Sequence, residues 1–226
     1  MSEIPPLDGS AVRYAAPLAD RGDRPVLLLL HGYGSDENDL VGLLPSLPSE
    51  YLGVSLRAPM PAPWPMSGHR WYPIDDLDGR DPAAITAAAE RVLDWVDENV
   101  DAAASVGLLG FSQGAAVSLQ ALRLRPERFA FAVNLSGYVA PGGLPTDTEL
   151  ARLRPPVFWG RGARDEVIPA ALVEHTVRWL PDVVALSGRV YPGLTHSVSE
   201  AELADVHAFL VARLGDIREA SADPRG

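Results

Sequence analysis

Gly110-Phe111-Ser112-Gln113-Gly114 sets a serine between two glycines in the pattern G-x-S-x-G. The aliphatic run at residues 105–109 precedes it, and a segment of helical period at residues 115–124 follows. A serine at so sharp a strand-to-helix turn sits in strained backbone, with its hydroxyl lifted above the sheet. The positions two before and two after must be small, because helix and strand cross closely there. Nucleophilic attack is the chemistry this placement serves. The alternative is a packing turn in which Ser112 only caps the helix.

A serine hydroxyl is a poor nucleophile until a base takes its proton. Of the five histidines, His196 lies in the short loop after an apolar run, Ala185–Tyr191, that reads as a strand. Sites in α/β sheets form outside the C-terminal ends of strands, so His196 is placed to reach Ser112. His175 and His207 fall inside helical segments, and His69 falls in a Pro-rich loop. His31 also follows a strand, but it belongs to a separate motif. The third member must be an acid that holds the imidazole in its useful tautomer. Asp165 follows the strand at residues 157–160 and precedes Pro169, with Glu166 as the nearest rival. The chain order Ser112, Asp165, His196 matches α/β-hydrolases and neither the chymotrypsin nor the subtilisin order.

A tetrahedral oxyanion needs two backbone N–H donors. Gln113 follows the nucleophile and supplies one. The second is expected from His31-Gly32-Tyr33-Gly34-Ser35-Asp36, with Tyr33 as donor, because the loop after this early strand carries that role in such hydrolases. Gly32 and Gly34 also fit the first two glycines of a dinucleotide loop. Glu37 stands at the third, where it would block helix packing and repel a pyrophosphate.

The elements that must position these groups alternate between short apolar runs and helical segments, which predicts an α/β fold with a mainly parallel sheet. Val26–Leu30 is apolar throughout, as expected of a strand covered on both faces. Further strands are predicted at 51–56, 105–109, 129–135, 157–160 and 185–191. Helices are predicted at 81–100, 115–124, 169–180 and 200–214. In the first helix Ile85, Ala89, Val92, Val96 and Val100 form one face. With no linker in view, a single domain over residues 1–226 is expected, with 1–10 and 219–226 as loose ends and no separate cap domain. Residues 58–80 stand outside the alternation; their aromatic content predicts an ordered wall, and Trp64, Met66, Trp71, Tyr72 and Leu77 are expected to line an acyl groove.

Composition removes other chemistries. The chain has no cysteine, so thiolate nucleophiles, disulfides and zinc–thiolate sites are excluded. All 19 cationic side chains are arginine, which excludes Schiff-base and P-loop lysines. A net charge of −11 without a basic cluster argues against nucleic acid and anionic lipid and makes strongly anionic substrates a poor match. The acidic stretch at residues 75–81 lacks the spacing of a calcium loop, and no His/carboxylate spacing points to a catalytic metal. No cofactor is expected. Residues 1–8 do not read as a secretory signal, and no apolar run is long enough to span a membrane. A cytoplasmic protein without stable membrane insertion is expected.

Four blocks carry a resemblance to the small serine carboxylesterases that include acyl-protein thioesterases and bacterial phospholipase/carboxylesterases. They are residues 29–39, residues 110–114, Gly162-Ala163-Arg164-Asp165-Glu166-Val167-Ile168-Pro169, and Gly193-Leu194-Thr195-His196-Ser197-Val198-Ser199. Arg70-Trp71-Tyr72-Pro73-Ile74-Asp75 is similar to the family's aromatic–acidic segment. The resemblance implies a capless α/β-hydrolase, a Ser112–His196–Asp165 triad and amide donors from Tyr33 and Gln113. It also implies hydrolysis of small acyl esters, thioesters or lysophospholipids through an acyl-enzyme, by a monomer or homodimer. Members often have a further glycine where this chain has Ala115, and a histidine ahead of the acid block where it has Arg161. Two other outcomes stay open: a hydrolase-fold binding protein with silent chemistry, and acyl transfer or perhydrolysis on the same residues.

Overall fold

The computed structural model of the chain describes residues 4–74 and 80–222. Leu77, expected in the acyl groove, lies outside them. Strands β1 (Val12–Tyr14), β2 (Val26–Leu30), β3 (Leu52–Leu56), β6 (Val106–Phe111), β7 (Phe131–Leu135), β8 (Pro156–Gly162) and β9 (Ala185–Tyr191) form a sheet in the order β1-β3-β2-β6-β7-β8-β9. Only β1 runs antiparallel to its neighbour. Two short strands between β3 and β6, β4 (Met60–Pro61) and β5 (His69–Arg70), form a separate antiparallel ribbon.

All five β2 side chains are fully buried because both faces of the sheet are covered. Leu28 and Leu30 meet α1 (Pro82–Asn99), α2 (Gln113–Leu124) and α4 (Ala170–Val183) on one face. Leu27 and Leu29 belong to the opposite core, built with Val206, Phe209, Leu210 and Leu214 of α5 (Glu200–Ala222). The stripe foreseen on α1 is buried through Ile85, Ala89, Val92 and Val96, and Asp81 caps that helix by accepting from Ala83 N–H at 2.9 Å. This mostly parallel sheet between helices is the predicted fold class.

The departures have local causes. Strand β6 runs through Phe111 and α2 begins at Gln113, because the chain reverses within the single residue Ser112. β1 carries no alternation to read, with only Val12 of its three residues buried. Between β7 and β8, where the sequence pattern predicts no helix, lies α3 (Asp147–Leu153). Arg123 of α2, itself buried, holds it by bonding both Asp147 carboxylate oxygens, at 3.0 and 2.9 Å. α5 continues through Ala222, past the predicted end at Leu214.

Candidate active site

Ser112 occupies φ 54° and ψ −114°, a backbone region that costs a non-glycine residue on the order of 1–3 kcal/mol. Two main-chain bonds hold it there: its N–H donates to Leu135 O at 2.8 Å, and Ala116 N–H donates to its own carbonyl at 3.1 Å. A Cβ on Gly114 would stand 2.1 Å from Leu30 O, and one on Gly110 would stand 2.5 Å from the Ala115 backbone. Both glycines are therefore fixed by backbone, not by movable side chains.

His196 Nε2 lies 2.8 Å from Ser112 Oγ, and its Nδ1 lies 2.7 Å from Asp165 Oδ2. With Nδ1–H donating to the carboxylate, Nε2 presents a lone pair to the hydroxyl. The other Asp165 oxygen accepts from Val167 N–H at 2.9 Å and Ile168 N–H at 3.3 Å, so the acid is anchored at both oxygens. Main-chain bonds from Ala163 N–H to Tyr191 O and from Arg164 N–H to Leu194 O, each 2.9 Å, tie the acid loop to the histidine loop. Gly162 permits this approach, since a Cβ there would meet Leu194 O at 2.1 Å. Phe111 packs against the imidazole with ring centroids 5.0 Å apart. This contact was not foreseen, although Phe111 is the residue immediately before the serine.

The rival acid Glu166 is exposed, and among the described residues the carboxylate bonded to His196 is that of Asp165. Arg164 is also exposed, and among the described residues its side chain forms no ion pair with Asp165. His175 lies on α4, and His207 lies on α5 with Nδ1 3.0 Å from Ser46 O. Neither joins the Ser112 cluster.

The Leu30–Ser35 turn comes beside Ser112 because β2 pairs with β6 in register Leu30 to Gly110. A Cβ on Gly32 would lie 3.6 Å from Ser112 Cβ. The backbone N–H groups of Tyr33 and Gln113 take no acceptor among the described residues. The β4–β5 ribbon secures the turn from outside: Gly34 N–H donates to His69 O at 2.8 Å, and His69 N–H to Ser35 O at 2.7 Å.

The aromatic groove expectation needs correction. Trp71 and Tyr72 have no exposed surface and offer no wall to a ligand. Their polar atoms draw them inward: Trp71 Nε1–H donates to His31 O at 2.9 Å, and the Tyr72 and Tyr138 hydroxyls bond each other. Burial pushes both phenols above their ordinary pKa, Tyr138 to about 12. Trp64 and Met66 do face solvent, at 92% and 51% exposure, on the ribbon's turn. Met66 Cε reaches within 2.9 Å of where a Cβ on Gly34 would be, so this side chain borders the Tyr33 turn. Among the described residues, no group of three His, Asp or Glu could hold a metal ion, and no helix is long and apolar enough to cross a membrane.

Known proteins share this arrangement of chain. An acyl-protein thioesterase 1 of Debaryomyces hansenii is 31% identical over 138 residues, covering 60% of this chain and 59% of that one. The acyl-protein thioesterase 1 of Mycosarcoma maydis is 27% identical over 194 residues, covering 74% and 75%. The matched segments thus span between about six-tenths and three-quarters of these curated relatives. A crystal structure of a carboxylesterase from Mesorhizobium loti superposes with a TM-score of 0.74 at 23% identity, over 93% of this chain and 99% of that one, and shows the shared fold. The phospholipase/carboxylesterase family model matches residues 18–214, and the chain belongs to that family.

Proposed function

We propose that the protein is a serine hydrolase that cleaves carboxylic esters of short-to-medium acyl chains, thioesters included, through an acyl-enzyme. The observation that carries this reading is the chain of hydrogen bonds from Ser112 Oγ through His196 to Asp165, at 2.8 and 2.7 Å. Neutral His196 takes the Ser112 proton as Oγ attacks the acyl carbonyl, and Asp165 stabilises the imidazolium that forms. The tetrahedral oxyanion points to the Tyr33 and Gln113 amides, which are free to donate. Protonated His196 gives its proton to the departing alcohol or thiol, and the acyl group remains on Ser112. Water enters by the same route, with His196 again as base, and the carboxylic acid leaves. Trp64 and Met66 form the lip over which an acyl chain passes. The thioester reach is suggested by the names of the Debaryomyces and Mycosarcoma relatives.

The test pairs Ser112→Ala with a fluorophosphonate probe. The parent is expected to be labelled stoichiometrically at Ser112 and to hydrolyse p-nitrophenyl acyl esters. The variant is expected to do neither. Turnover or labelling that persists in folded Ser112→Ala would remove the reading.

A further inference from the structure

We infer that His31 is a positioning residue that aims the Tyr33 amide, an inference that rests on that amide receiving the oxyanion. His31 immediately follows β2, is fully buried and belongs to none of the groups hydrogen-bonded to Ser112. Its two ring nitrogens have different partners. Ala58 N–H points at Nε2 from 3.0 Å. A backbone N–H can only donate, so Nε2 must carry a lone pair and the ring proton must sit on Nδ1. Nδ1–H therefore donates to Gly32 O, 2.7 Å away.

That carbonyl and the Tyr33 N–H are the two ends of one planar peptide unit. Fixing the direction of the oxygen fixes the direction of the N–H, because the plane does not twist cheaply. The histidine thus acts on the donor from the far side of its own peptide bond. Gly34 N–H, donating to His69 O at 2.8 Å, holds the next peptide along, and Ser35 N–H makes a longer bond, 3.4 Å, to the same Gly32 carbonyl; the 2.7 Å bond from His31 is the shorter restraint on that oxygen.

Only a neutral ring can do this. A second ring proton would turn an N–H against Ala58 N–H. Burial lowers the His31 pKa and favours the neutral ring, against the Gly32 carbonyl, Asp39 and Asp36, which pull the other way, and with His69 acting in the same direction as burial.

Trp71 extends the device to the second donor. Its ring stands 5.6 Å from the imidazole, and its indole N–H bonds the His31 carbonyl. Its own backbone N–H donates to Gln113 Oε1 at 2.8 Å, while Gln113 Nε2 donates to Tyr72 O at 2.8 Å. One tryptophan therefore couples the strand end before the first amide to the side chain of the residue that carries the second. Its burial, which removes it from the groove, is what this task requires.

Two substitutions separate positioning from packing. His31→Asn keeps an amide N–H near the Nδ1 position and loses the Ala58 bond. His31→Gln reaches toward Ala58 and loses the donor to Gly32. Each forfeits one buried hydrogen bond, so a purely structural histidine would give the two variants matching losses of both stability and rate. Positioning predicts that they part. The kcat of His31→Gln is expected to fall about 10–100-fold, less than deletion of a donor, while His31→Asn stays within about threefold of the parent. Affinity for a trifluoromethyl ketone, which forms an oxyanion on Ser112, is expected to fall with kcat in His31→Gln and to hold in His31→Asn. Equal rates in folded variants would overturn the inference. Should His31→Gln not fold, a folded His31→Asn slowed tenfold or more overturns it equally, and one near the parent rate supports it. Ser112→Ala, assayed alongside, distinguishes the levels: a live Ser112→Ala defeats the esterase reading itself, whereas a dead one beside a fully active His31→Gln defeats only the role of His31.

Discussion

His31, next to β2, and Glu202, over Gly160 of β8, are both fully buried and belong to opposite sides of β6 in the sheet order, and their polar atoms are treated in opposite ways. His31, just after β2, has both ring nitrogens bonded to main chain. Glu202, in the first turn of α5, has neither carboxyl oxygen bonded to a donor among the described residues. Its Oε1 occupies the space over Gly160 of β8, where a Cβ would come within 2.1 Å of it. A buried polar group with all its bonds made rigidifies its surroundings; one with none costs free energy that depends on its charge. The amide flank of the site is therefore pinned, and the acid–base flank rests beside an element that pH can load. The contrast is partial, since the loops that carry Asp165 and His196 are themselves zipped by main-chain bonds.

The largest expected effect lies on the acid–base flank. Asp165→Asn keeps the shape but favours the wrong imidazole tautomer, and kcat is expected to fall by about 10⁴. Steady-state kinetics on a chromogenic ester checks this; a loss below tenfold would mean that Asp165 does not orient His196. The matching break on the amide flank is steric. Gly114→Ala forces a methyl against Leu30 O and His31 O, at 2.1 and 2.5 Å, both backbone atoms that cannot step aside. A loss of roughly 3 kcal/mol or more is expected in urea unfolding. An unchanged midpoint would show that the elbow is looser than its contacts imply.

How far the sequence carried each flank follows from where the information lies. That Ser112, Asp165 and His196 come within hydrogen-bond reach of one another was legible, because a nucleophile, a base and an acid are particular residue types and the strand-end rule supplies their places. The buried strands were legible from apolar runs such as Val26–Leu30. Trp71 and Tyr72 were misplaced because a Pro-rich loop has no period from which to read direction. Their inward turn follows from hydrogen bonds to His31 and Tyr138, residues distant in sequence. α3 was missed for a related reason, its anchor being Arg123 on another helix. Glu202 looked like an ordinary charge in the first turn of a helix. Only the closeness of Gly160, 42 positions earlier in the numbering, reveals that it is enclosed.

The contrast in pH response sharpens the comparison. Burial raises the Glu202 carboxyl to about 7, above its ordinary 4.5. The folded state therefore holds this proton where the unfolded chain has released it. Stability contributed by the protonated carboxyl is full below the unfolded value and is lost as pH rises through 7. Glu202→Gln cannot ionise, so it is expected to be more stable than the parent at pH 8, by roughly 2–3 kcal/mol, and close to it at pH 4. His31 slopes the other way. Its lowered pKa means that acidification below the ordinary histidine value forces protons onto the unfolded chain first and weakens the fold. Urea midpoints at several pH values measure both arms. An offset between Glu202→Gln and the parent that does not change with pH would assign the effect to packing and cancel the contrast.

The smallest effect concerns the cation nearest the acid in sequence. Arg164 adjoins Asp165, and a cation beside a carboxylate invites the idea of an ion pair that tunes the triad. The structure turns the Arg164 side chain to solvent, while Asp165 satisfies itself with His196 and two backbone amides. An exposed charge interacts across water and mobile ions, which leaves a few tenths of a kcal/mol. Arg164→Ala is therefore expected to change kcat/KM less than about twofold, with little dependence on salt. Its backbone bond to Leu194 O survives the substitution, so the loop that carries Asp165 keeps its tie to the loop that carries His196. A tenfold loss, reproduced in the parent by raising salt, would show that the guanidinium acts on Asp165 after all.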